Sequence, residues 1–110
     1  MMLLTKENLR FLDGNMKRPE AERRPMVKFF TPWGRATWLI SEYNKDTGEM
    51  FGLCDLGLGY PELGYVTLQD LKQIRGPLGL RVERDRNWSS GGRTLMSFAE
   101  QAREEGEITE

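Results

Sequence analysis

Apolar residues recur along this chain in two rhythms, one of two residues and one of three to four, and each change of rhythm marks an element boundary. The clearest period-two stretch is ATWLISEY at 36–43, where Trp38 and Ile40 share one side while Thr37, Leu39, Ser41 and Tyr43 share the other. That alternation predicts a strand, the clearest of the set. Before it, MVKFF at 26–30 has the β-branched and aromatic content of a strand, and ThrProTrpGly at 31–34 turns the chain. After it, the polar NKDTG at 44–48 predicts a short antiparallel connection into EMFGLCDL. The glycines of GLGYP at 57–61 then interrupt the sheet, and ELGYVTL resumes it with Leu63 and Tyr65 opposed to Gly64 and Val66. RVERD at 81–85 reads as a last, partly exposed edge strand.

The helical rhythm appears in three places. Thr5 is placed to cap a short amphipathic helix carrying Leu9 and Leu12, with Gly14 placed to end it. Thr67, with Asp70 three positions on, opens a helix at about 68–75 whose Leu68, Leu71 and Ile74 share a face, and Gly76-Pro77 stops it. Leu95, Phe98, Ala99 and Ala102 form the stripe of a C-terminal helix. Charged NMKRPEAERR at 15–24 and the SSGGR break at 89–93 read as exposed connections. The expected architecture is therefore α+β: a small, mainly antiparallel sheet of four to five strands with an N-terminal helix, a helix at 68–75 and a C-terminal helix. Residues 1–99 make one domain in this scheme, and 100–110 an acidic tail.

Composition narrows the chemistry. A chain of 110 residues with 38% hydrophobic and 30% charged residues is long enough for one cored domain. It contains no histidine, which removes the usual general base and the commonest transition-metal ligand. Cys54 is the only cysteine, so neither an internal disulfide nor a thiolate metal cluster is available, and within its strand it reads as a small buried hydrophobe. No segment is apolar enough for a leader or a membrane span. The expectation is a cytoplasmic protein with no membrane association, no cofactor and no metal. Net charge is −1, but the last eleven residues hold five glutamates against Arg103, and the remaining body carries +3.

The candidate functional residues lie near turns. Trp33, Tyr60 and Trp88 adjoin turn residues, where rigid amphipathic rings suit a protein partner, and Arg75 and Arg84 complete a candidate binding surface. The bland alternatives are that each ring folds back over the sheet and that Arg75 caps its helix. Arg75, Arg81, Arg84, Arg86 and Arg93 together, with Trp88 as a stacking surface, would suit nucleic acid. Asp55, Glu62, Glu83 and Asp85 would have to converge to hold a hard cation, and nothing in their spacing requires it. A structural clamp in which Glu62, Arg75, Glu83, Arg84 and Asp85 meet is the alternative use of these charges.

VKFFTP at 27–32 with Trp38 beyond it, FGLCDLG at 51–57, PELGYVTLQDL at 61–71 and RGPLGLRVERD at 75–85 together resemble the domain-of-unknown-function family 2958. The resemblance covers roughly residues 3–95, and the acidic ending departs from the family's usual one. It implies a bacterial, cytoplasmic setting, often on plasmids and other mobile elements, and carries no catalytic or binding residues with it. The expectation is a non-enzymatic protein-binding or adaptor domain, an accessory to mobile DNA or against host defence. The alternatives are a nucleic-acid-binding accessory using the arginine-rich edge, and a carboxylate-dependent enzyme. A homodimer through an open edge strand at RVERD is also compatible with the pattern.

Overall fold

In a computed structural model, described here for residues 2–109, the elements follow in the order α1 (Lys6–Asn15), β1 (Val27–Phe30), β2 (Thr37–Tyr43), β3 (Glu49–Asp55), β4 (Glu62–Thr67), α2 (Leu68–Gln73), β5 (Glu83–Arg84) and α3 (Leu95–Glu105). The strands form one antiparallel sheet of order β4-β3-β2-β1-β5, an α+β fold with helices at both ends of the chain.

The sheet is sandwiched because its strands are apolar on both faces. Phe29, Trp38, Ile40 and Met50 meet Leu12 of α1, Leu71 of α2 and the N-terminal Leu3 and Leu4 on the first face. Leu39 and Leu53 meet Leu95, Phe98, Ala99 and Ala102 of α3 on the second. The predicted division of β2 holds as far as Ile40. There the register with β3 shifts, with Ile40 opposite Gly52 and Glu42 opposite Phe51. The extra residue, Ser41, reverses the alternation, so Tyr43 packs on the first face with Ile40 instead of on the second with Leu39.

α1 is capped as expected: the Thr5 hydroxyl accepts from the Asn8 N–H, and the Asn8 side chain returns the bond to the Thr5 N–H. It does not end at Gly14. One residue further on, the fully buried Asn15 donates to the carbonyls of Arg24 and Ser41 at 2.6 and 2.8 Å and accepts from the Arg24 N–H. These bonds tie the helix end to the start of β1 and to the bulge in β2. The charged connection that follows is also anchored, through an Arg23–Glu42 ion pair of 2.9 Å and a bond from the Leu95 N–H to the Arg23 carbonyl.

At the C-terminal end, the expected boundary at residue 99 falls inside α3, and Ala102 beyond it is fully buried. Gly106 ends the helix at φ 78°, and Ile108 packs on the second core. The Ile108 N–H donates to Asp55 Oδ2 at 2.9 Å. Residues 100–109 therefore close the fold instead of trailing from it, because the helical stripe of Leu95, Phe98 and Ala99 continues through Ala102. No helix among the described residues is long and apolar enough to cross a membrane.

Candidate binding surface at the loop end of the sheet

Three connections gather at one end of the sheet: the β1–β2 turn, the β3–β4 loop and the link from α2 to β5. The β1–β2 turn is the fixed part. Thr31 is buried, and both its backbone and its hydroxyl bond Ala36 across the turn. Trp33 and Arg35 extend from this scaffold to different neighbours. A Cβ on Gly57 would come within 2.9 Å of Arg35 Cβ, and a Cβ on Gly76 would run into the Trp33 ring. The β3–β4 loop therefore rests on Arg35 and the α2–β5 link on Trp33. Gly76 is required for this close approach, since its own backbone is extended (φ −104°, ψ −175°).

The α2–β5 link is a small hairpin. Arg75 and Arg81 form an isolated antiparallel bridge, and the Gly76 N–H donates to the Leu80 carbonyl at 2.8 Å. Its tip is Pro77–Gly79, with Leu78 at φ 58°, ψ 25°. Leu78 is the one described residue other than glycine with positive φ, and it is completely exposed. A leucine in the left-handed region costs about 1–2 kcal/mol, and here no burial offsets it. The β3–β4 loop likewise projects Leu56, Leu58 and Tyr60, the last 80% exposed. With Cys54 and Glu62 they line a shallow depression of about 250 Å³.

Next to the hairpin a groove runs between α2 and the N-terminal segment. Leu3, Leu71 and Val82 form a buried floor, and Lys72, Leu80 and Arg81 stand at the exposed rim. The depression measures about 480 Å³, and a second of about 340 Å³ continues it past Met2 and Leu4, sharing Leu3, Lys72 and Arg81. Arg75 and Arg81 both donate to the Lys72 carbonyl, at 2.7 and 3.3 Å. The two guanidinium groups thus satisfy an end of α2, which is the helix-capping use expected of Arg75. Among the described residues no carboxylate lies within 4 Å of the Lys72, Arg75 or Arg81 side chains.

The anticipated surface of Trp33, Tyr60, Arg75, Arg84 and Trp88 is only partly assembled. The Trp33 ring lies against Gly76, the residue after Arg75, and Tyr60 projects from the β3–β4 loop. Trp88 instead covers the second core, 6.0 Å from the Phe98 ring. Arg84 faces the N-terminal segment and donates to the carbonyls of Met2 and Leu3 at 2.6 and 2.9 Å. The arginine set considered for nucleic acid is also dispersed, since Arg93 lies over the Phe98 ring and bonds Ser97 and Gln101 along α3.

The clamp is not formed. Glu62 belongs to β4 and Arg84 to β5, the two edges of the sheet, with three strands between them. No ion pair joins Glu62 to Arg75. Glu83 and Arg84 stand opposite Phe30 and Phe29, and Asp85 pairs with Lys28 at 3.9 Å while accepting from the Asn87 N–H. The separation arises because β5 returns to β1 instead of to β4, the strand preceding α2. Of the carboxylates considered for a cation, Glu83 and Asp85 are separated from Asp55 and Glu62 for the same reason, and both oxygens of the buried Asp55 accept backbone N–H groups, from Gly57 and Ile108.

Cys54 is half-buried, and its thiol is pushed from 9.0 up to about 11, first by burial and then by the neighbouring Glu62 carboxylate. It is therefore a protonated, weakly nucleophilic thiol at neutral pH.

Leu56, Leu58, Leu78 and Lys72 were not anticipated at the site. The available signal was the placement of single leucines beside glycines in LGLG at 56–59 and PLG at 77–79, where no alternating or helical period can turn them inward.

The fold and its projecting loops define a small α+β protein with an apolar, positively rimmed end. The chain belongs to a family described as protein of unknown function (DUF2958), whose model matches residues 3–109. The match extends beyond the resemblance expected for residues 3–95 and takes in the acidic ending. No curated protein and no solved structure matches this chain.

Proposed function

We propose that this protein is a non-enzymatic adaptor that docks another protein at the loop end of its sheet. The observation carrying this reading is Leu78, an apolar residue fully exposed in a strained backbone conformation at the tip of a braced hairpin. Exposed leucines and Tyr60 on short loops supported by Trp33 and Arg35 make a preorganised apolar surface, the kind that provides interface anchors. A bacterial accessory carried on mobile elements, the setting implied by the family resemblance, would act in this way by contact.

A photo-crosslinking residue at position 58 or 78 tests the proposal, with position 45 in the β2–β3 turn at the opposite end as control. The expected result in bacterial cells is one common protein adduct from 58 and 78 and none from 45. Equal adducts from all three positions, no protein adduct from 58 or 78, or adducts to nucleic acid alone would overturn it.

A further inference from the structure

We infer that the groove between the N-terminal segment, α2 and the α2–β5 hairpin receives an acidic segment of the partner, with an apolar side chain of that segment seated on Leu3, Leu71 and Val82. This deepens the docking proposal and rests on it.

The floor and the rim make separate chemical demands. Leu3, Leu71 and Val82 are 6%, 1% and 3% exposed, so they are held rigidly from beneath by the first core and present a preformed apolar base. An incoming leucine-sized group would lose water there without any core residue having to move. The exposed rim supplies mainly positive charge. Lys72 and Arg81 are exposed beside the floor, with Arg75 bridged to Arg81, while Glu83 is the acid in the lining. The Arg75 and Arg81 side chains are also directed by their bonds to the Lys72 carbonyl, so two guanidinium groups meet at the backbone of a residue whose own lysine lines the groove. Such a rim attracts carboxylates and repels a basic segment, which confers selectivity as well as attraction.

A peptide is favoured over nucleic acid because the apolar floor is recessed and runs along the N-terminal segment through two continuous depressions. The adjoining hairpin places Leu78 outside the groove, where it can engage a neighbouring surface of the same partner.

The test uses the full chain and three eight-residue probe peptides, alternating Glu with Leu, Glu with Ser, and Lys with Leu, and an eight-base-pair DNA duplex. Binding is followed by amide chemical shifts. The Glu/Leu peptide is expected to shift Leu71, Lys72, Leu80, Arg81 and Val82 in a salt-sensitive manner. The Glu/Ser peptide should bind about tenfold more weakly for want of its anchor, and the Lys/Leu peptide should leave these amides unmoved. A chain carrying both K72E and R81E, two exposed positions, should reverse the preference in favour of Lys/Leu.

Equal response to Glu/Leu and Lys/Leu peptides, shifts mapped elsewhere, no shifts, shifts with DNA alone, or an unchanged preference in the reversed variant would each overturn the inference. The crosslinks from positions 58 and 78 report on docking itself. If they persist while the peptides fail, the groove assignment falls and the adaptor function stands.

Discussion

Replacing Leu78 by glycine should make the protein more stable while weakening its interaction with a partner. In the folded chain Leu78 sits at φ 58°, ψ 25° and is entirely exposed, so removing its side chain uncovers no buried surface and opens no cavity. Relief of the left-handed strain is worth about 1–2 kcal/mol. Against it stands the greater freedom of glycine in the unfolded chain, about 0.5–1 kcal/mol. The difference is a net stabilisation of at most about 1.5 kcal/mol, centred on about 0.75, and the central value raises the melting temperature of a domain of this size by about 3–6 °C. Leu78→Asn should behave similarly, since asparagine tolerates this region and brings less backbone freedom to the unfolded state. Leu78→Val should go the other way by about 1 kcal/mol, because a β-branched side chain resists the left-handed conformation more than leucine does. Urea unfolding of the four chains, with the slope unchanged, measures the series. A glycine variant destabilised by 1 kcal/mol or more, with valine neutral, would refute the strain argument and with it the idea that Leu78 is held outward at a cost in stability.

Other consequences are local. Asn15→Ala should cost about 2–4 kcal/mol in denaturant unfolding, since it leaves the Ser41 carbonyl and the Arg24 backbone groups without their partner; a loss below 1 kcal/mol would mean that water replaces the amide. Asp55→Ala should cost about 1–3 kcal/mol and expose residues 106–109 to carboxypeptidase, whereas an unchanged digestion pattern would show that the Ile108 contact does not hold the chain end. Cys54 should react with iodoacetamide at pH 8 about 100-fold more slowly than in urea, because raising the thiol from 9.0 to about 11 lowers the thiolate fraction by that factor. The sign extends to stability: the folded chain holds the Cys54 proton more tightly, so this contribution is intact below pH 9 and declines above it. Equal labelling rates in folded and unfolded chains would contradict the burial of the thiol.

The sequence by itself determined the elements and most of their faces. Alternation assigned Trp38 and Ile40 to one side of β2 and Leu39 to the other, and Thr67 with Asp70 located the start of α2, because side-chain direction and helix capping are decided within a few residues. The same local reasoning had no access to the bulge at Ser41, which exists only as a mismatch between β2 and β3. Nor could it reveal that Asn15, within a run of charge, is a buried tie between distant carbonyls.

Tertiary structure decided which residues became neighbours. Glu62 and Arg84 open and close one strand–helix–strand stretch, yet the return of β5 to β1 places them at opposite edges of the sheet, and no periodicity encodes that choice. The same return folds the arginine-flanked GPLG hairpin against Trp33 and beside the N-terminal leucines. Arg75 and Arg81 were visible as charges in the sequence. Their gathering beside an apolar floor depends on the packing of α2 and the N-terminal segment, because a groove is made by elements that meet in space.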